Sequence, residues 1–433
     1  MPEQSLLHLK EILSGKYQRV LPEFMAFLKE QQWLLPAEFL PELLDECLKD
    51  RQLWTLIQPL LGNRAAWLME LHPDWGMLMP RADPSHWAGA GPEARKRILA
   101  YLRRTDPATG ADLLAAAWGQ LHYRQKAAML ELMQEGLGPH DEVFLENCLE
   151  DSRKEVRLRA ADLLASLPDS RLAERLFQGL IPLFTFAPGS GNLTVALPRE
   201  IPEQSRRDGI HPTPTSGRNG SLKEQWLAEC VSRIPPARWH RHFNWDAEAL
   251  VAAFAASKRA DLLLAALAEA VLRFEDEPAG AELMRLFILK NVPMPENVRW
   301  QALARQLPAS LIQDMAGVFF QQQPGLLEEQ HLLTRVLELG AHAWDAVIAR
   351  QVVQGLKQWM VESKTFFWNL WHYKRLLEAA GYCCPTELFE EVNADWPTSS
   401  PVWNQWAPDV ERMLRILRFR IEMKGSKETG TTL

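Results

Sequence analysis

Apolar positions recur every three or four residues through most of the chain, the spacing of amphipathic helices that bury one stripe. Strict alternation is confined to one short region. Up to about residue 81 the pattern predicts short helices, with Pro22, Pro36 and Pro41 near their starts, where a missing N–H costs little. Between 106 and 177 four helices follow in succession, over 112–121, 124–135, 141–149 and 155–167. Gly136, Gly138 and Pro139 punctuate this stretch and Pro168 ends it, the rhythm of a helical-hairpin repeat.

The pattern breaks between 182 and 221. Residues 183–186 and 193–197 alternate with period two on either side of Gly189-Ser190-Gly191-Asn192, which predicts a β-hairpin. The stretch 198–220 is longer than most connections in compact domains and reads as either functional or disordered. Helices resume at 222 over 247–257, 261–274, 281–291, 300–306, 311–322, 326–339, 343–361, 366–380 and 409–423. The residues after Lys424 have little to bury and are expected to fray. The expected fold is all-α, a solenoid of antiparallel helix pairs with one hairpin insertion. Its expected divisions are an array over 1–181, an insertion over 182–221, a second array over 222–423 and a disordered tail over 424–433.

Composition narrows the classes further. The 433 residues are 47% hydrophobic and 24% charged, which excludes wholesale disorder, and leucine far outnumbers the β-branched residues that fill sheets. A net charge of -7 makes nucleic acid an unlikely default partner. No stretch is long and apolar enough to span a bilayer, and the first residues carry no secretory pattern. Five scattered cysteines, Cys47, Cys148, Cys230, Cys383 and Cys384, argue against a disulfide or zinc framework. A cytoplasmic protein without membrane contact is expected.

The chain contains no Walker loop, nucleophile elbow, H-E-x-x-H or dinucleotide fingerprint, so no catalytic residue, cofactor or metal is assigned. His240 and His242 lack a third ligand at a recognisable spacing, and Cys383 and Cys384 read as buried thiols. Basic residues at 95–97 and 103–104, and Arg412, Arg415, Arg418, Arg420 and Lys424, lie on amphipathic helices and read as solvated faces. Tryptophans cluster in the last third at Trp359, Trp368, Trp371, Trp396, Trp403 and Trp406. The last three fall in a proline-rich connection, where exposed indoles would anchor a partner. In the central loop Arg206, Arg207, Asp208, Gly209, Ile210 and His211 are expected to form part of a contact surface.

Residues 149–164 resemble the second helix of a HEAT repeat, with Asp151 or Ser152 at the cap and Val156, Ala160, Leu163 and Leu164 on one face. That resemblance implies that Arg157 bridges to an inter-helix aspartate. Arg64-Ala65-Ala66-Trp67-Leu68 followed by Pro73-Asp74-Trp75, together with the 149–170 unit and the string 232–239 ending in Trp239, resembles an uncharacterised bacterial family of HEAT-like helical proteins. Ala65 and His72 stand where that family carries glycine and asparagine. The resemblance implies gene neighbours encoding MoxR-type AAA ATPases, von Willebrand factor A domain proteins and SWIM zinc-finger proteins. Arg64, Trp67, Asp74 and Trp75 are expected to be architectural, with the two indoles packed together and Arg64 meeting a carboxylate. The reading is a non-catalytic protein-binding scaffold in an AAA ATPase-linked system, with a HEAT-like DNA-binding or DNA-repair protein as the alternative.

Overall fold

The computed structural model describes residues 1–79, 82–187, 192–211, 221–324, 328, 330–362 and 371–425. These residues are mostly helical and include one two-stranded antiparallel sheet. Residues 188–191 between the two expected strands, most of the first turn of the helix expected over 326–339, Trp368 with the start of the helix expected over 366–380, and the tail 426–433 lie outside the described residues.

The four helices expected between 106 and 177 are present as Pro107–Ala117, Tyr123–Leu132, Glu142–Cys148 and Lys154–Leu164. The first starts earlier than expected because Pro107 occupies the position where its missing N–H is harmless and Asp106 caps Thr109 N–H at 3.2 Å. The sheet pairs Phe184–Ala187 with Asn192–Val195, and Phe184 faces Val195. Alternation has the expected result: Phe184, Leu193 and Val195 are buried. The last helix, Trp403–Gly425, begins well before the expected 409 and carries Pro408 inside it. Pro408 removes a single N–H near the start of that helix, and the buried stripe Trp406, Val410, Met413 and Leu417 continues across it.

The chain divides into two compact units at places other than the divisions at 181–182 and 221–222. One unit joins Met1–Leu78 to Pro308–Leu433, and the other is Met79–Leu307. In the discontinuous unit, Leu9, Ile12, Phe24 and Leu28 share a core with Ile416, Phe419 and Met423, and Tyr17 stacks on Phe419 at 4.1 Å. Arg420 pins this union: Nε donates to Glu23 at 2.7 Å, and Nη1 to the carbonyls of Gly381 and Cys384 at 3.1 and 2.8 Å. In the continuous unit, Pro92–Thr105 packs on Pro107–Ala117 and on Tyr123–Leu132, and Tyr123–Leu132 and Glu142–Cys148 both pack on Lys154–Leu164.

Candidate functional site

The segment after the hairpin is built into the continuous unit. Glu203–Arg206 forms a single 3-10 turn, and Ser205 accepts a hydrogen bond from Trp226 Nε1 at 2.8 Å while its carbonyl accepts from Ile210 N–H at 2.8 Å. Gly209 lies in the left-handed region at φ 76°, which closes the turn. Asp208 is buried: its carboxylate meets Arg175 at 2.8 Å and its carbonyl accepts from Arg233 at 3.2 Å. Asp208 is therefore an internal anchor and not a surface group. Ile210, the lone apolar residue of 203–211, is fully buried, a placement that periodicity cannot reveal for an isolated residue. Arg207 pairs with Glu150 at 2.5 Å, His211 is half-buried and Arg206 is exposed. Residues 212–220 of the expected loop lie outside the described residues.

The three late tryptophans separate. Trp406 is fully buried and meets Trp359 edge-on at 5.2 Å, so it is core and not an exposed anchor. It falls on the buried stripe of a helix that the proline-rich composition had hidden. Trp396 and Trp403 are half-buried, with centroids 6.4 Å apart. Trp396 Nε1 donates to the Val392 carbonyl at 2.9 Å, and Lys357 lies 5.1 Å from its ring. Lys357 Nζ donates to the Ala394 carbonyl at 2.7 Å, and burial holds its pKa below the ordinary lysine value.

In the other motif, Trp67 and Leu71 stand one turn apart on the helix Asn63–Leu71 and are 59% and 63% exposed. No ring contact between Trp67 and Trp75 is seen among the described residues; Trp75 stacks on His72 at 4.3 Å and donates to Asp45 at 2.8 Å. Arg64 and Asp74 are exposed, and the carboxylate expected for Arg64 is not seen among the described residues. Leu71 was not singled out from sequence, although the i, i+4 spacing from Trp67 was legible.

Arg157 Nη1 donates to the main-chain carbonyl of Asp151 at 2.7 Å, whereas the Asp151 carboxylate pairs with Lys126 at 2.7 Å. The bridge to the inter-helix aspartate thus runs through its backbone, and lysine takes the ion pair. Asp151 also accepts from Arg153 N–H at 2.9 Å, just ahead of the helix. Trp239 is fully buried among Phe177, Phe184 and Phe254. His240 and His242 lie two apart within the helix Pro236–Phe243, so their rings diverge: His240 Nδ1 is 3.1 Å from the Trp245 carbonyl and His242 packs edge-on to Phe177. All five cysteines are free and buried, and burial pushes Cys383 up to about 11 and Cys384 up to about 12. No group of three or more His, Cys, Asp or Glu that could hold a metal ion occurs among the described residues.

Much of the basic charge is engaged internally. Arg103 is buried, Arg104 pairs with Glu135, Arg412 with Glu378, and Arg420 and Lys424 with Glu23. Arg95 donates to the Trp87 and Ala88 carbonyls, and Arg418 lies over Phe389. A carboxylate–imidazole pair not anticipated from sequence joins buried Glu338 to His372 Nδ1 at 3.0 Å, and burial raises the Glu338 pKa. A small cavity of about 10 Å³ lies among Ile312, Gln313, Val336, Leu337 and Trp344, room for a water molecule and not for a substrate.

No helix among the described residues is long and apolar enough to cross a membrane. No curated protein and no solved structure matches the chain. One family model matches, over residues 1–426.

Proposed function

We propose that this chain, which belongs to the family of unknown function DUF5691, is a non-catalytic scaffold that holds a protein partner on the Trp67–Leu71 ridge. The observation that carries the reading is that ridge: an indole and a leucine one turn apart, each more than half exposed, on a helix whose inner residues Ala65 and Met69 already serve the core. Large apolar groups held outward on a fixed helix cost solvation in the free protein and repay it when a partner covers them. Helices that pack on the next and the next but one support a HEAT-like array, a framework that presents surfaces without needing a catalytic constellation. Five free thiols support a reducing, cytoplasmic setting.

The family resemblance makes a MoxR-type AAA ATPase the first partner to test and a von Willebrand factor A domain protein the second. Calorimetric titration of each purified partner with the intact chain is expected to show a complex that Trp67→Ala combined with Leu71→Ser abolishes while the melting temperature stays within a degree or so. Absence of a complex with either protein, or unchanged affinity in the double variant, removes the reading.

A further inference from the structure

The helices Tyr123–Leu132 and Lys154–Leu164 pack together, and residues at their starts meet at one ring. Tyr123 is half-buried at the first position of its helix, where the Gln125 side chain accepts the His122 N–H at 3.1 Å and holds the turn. Arg124 lies with its guanidinium carbon 5.8 Å from the Tyr123 centroid, and its Nε donates to the Tyr123 hydroxyl at 3.2 Å. Arg153, immediately ahead of the second helix, reaches the same ring at 5.0 Å. Both arginines are exposed.

Among the described residues neither guanidinium meets a carboxylate. The acids near Arg153 in sequence are otherwise engaged. Asp151 accepts from Lys126 Nζ at 2.7 Å and from the Arg153 main-chain N–H at 2.9 Å, Glu150 pairs with Arg207 at 2.5 Å, and Glu155 lies 3.6 Å from Arg159. Arg124 therefore keeps both terminal nitrogens, and Arg153 its whole guanidinium, for an acceptor from outside. Contact with one half-buried ring restrains both side chains, so less freedom is lost when they bind. Tyrosine and arginine side by side are also the residue types that carry most of the energy at protein interfaces.

We propose that Tyr123, Arg124 and Arg153 form a docking site for an acidic, extended segment of a protein partner, each arginine taking one carboxylate. Alternate side chains of an extended chain stand ~7 Å apart on one face, a spacing within reach of two guanidiniums that share a ring. A nucleic-acid backbone needs a run of unopposed cations to follow its phosphates, and here Glu131, Glu150 and Glu155 are interspersed with the surrounding basic residues. The site lies in the Met79–Leu307 unit and does not rest on the docking reading for Trp67, so either can fail alone.

The test is fluorescence anisotropy of a short labelled peptide of alternating glutamate and threonine, titrated with the intact chain. The comparisons are the same peptide with glutamine for glutamate and a single-stranded oligothymidylate of equal charge. The glutamate peptide is expected to bind where the glutamine peptide does not, and to weaken as salt is raised. The Arg124→Ala, Arg153→Ala double variant should lose about tenfold or more in affinity while its melting temperature stays within a few degrees. The Arg124→Lys, Arg153→Lys variant keeps both charges but neither fork, and is expected to lose part of the affinity. No binding of the glutamate peptide beyond its glutamine counterpart, or undiminished binding in the alanine variant, overturns the site. Full affinity in the lysine variant overturns the pairing of each fork with a carboxylate, and oligothymidylate binding as tightly as the peptide overturns the acidic segment as the occupant.

Discussion

Arg103 and Asp141 meet with both side chains wholly removed from solvent, guanidinium to carboxylate at 2.8 and 2.7 Å. The remaining Arg103 donors reach the carbonyls of Glu135, Pro107 and Met133 at 2.8, 3.0 and 3.1 Å, and Asp141 also accepts from Gly138 N–H at 3.0 Å. One arginine thus closes two helix ends and the turn between them, with no donor left unsatisfied. Replacing it strands a buried carboxylate and three carbonyls. Arg103→Met is expected to cost about 3–5 kcal/mol in urea unfolding, with Asp141→Asn costing less because the amide still accepts. A loss below about 1 kcal/mol for Arg103→Met would show that the pair is incidental.

Arg103 also marks where reading the sequence stops. In the chain it is one of several basic residues on an amphipathic helix and looks like a solvated charge, because nothing local records an aspartate 38 residues away. Arg420 is hidden in the same way, its carboxylate Glu23 lying 397 residues earlier. The joining of the first 78 residues to the last 126 therefore left no trace in a reading that works through neighbouring positions. Local signals did survive. Alternation located the strands around Phe184 and Val195, and the 3.6-residue period located many of the helices though not Arg171–Leu180 or Pro236–Phe243, since both signals depend on which side of the local backbone a residue occupies. For the candidate sites, the string at 206–211 was legible, but its partition was not: Ile210 inward, Arg206 outward and the His211 N–H on Glu229 follow a turn in which Gly209 takes the left-handed backbone.

That turn can be tested directly. Gly209→Ala imposes a left-handed backbone on a residue with a side chain and a clash with Ala161, and is expected to cost roughly 1–3 kcal/mol from the backbone alone, with the clash in addition. Adding Ala161→Gly relieves the contact but not the conformation, so denaturation should recover only part of the loss. Full stability in Gly209→Ala would mean that the segment does not rest on the helix in solution.

Two tryptophans, both on helices, should respond oppositely. Trp406→Ala empties a fully buried site beside Trp359 and is expected to destabilise by about 3–5 kcal/mol. Trp67→Ala removes a mostly exposed indole and should stay within about 0.5 kcal/mol. Thermal melting of the pair under one buffer decides it, and a large loss at Trp67 would place that residue back in the architecture.

His8 supplies a pH dependence whose sign is opposite to that of a histidine gaining an acidic partner. Its ring lies edge-on to Phe419 at 5.2 Å, and Nδ1 is buried without a hydrogen-bond partner. Burial lowers its pKa from 6.5, and Glu11 and Glu422 offset this only in part. The unfolded chain therefore takes up the proton first as pH falls. The stability that His8 contributes is complete above about pH 6.5 and declines below it, because between the two pKa values the unfolded state binds more protons. His8→Leu keeps the apolar contact and removes the titration. Denaturant unfolding of both proteins from pH 8 to pH 5 should show curves that run together at the alkaline end and separate below pH 6.5, the unaltered chain losing more. Parallel curves would mean that the imidazole is not held neutral against Phe419, and that the acid response of the protein arises from its paired carboxylates instead.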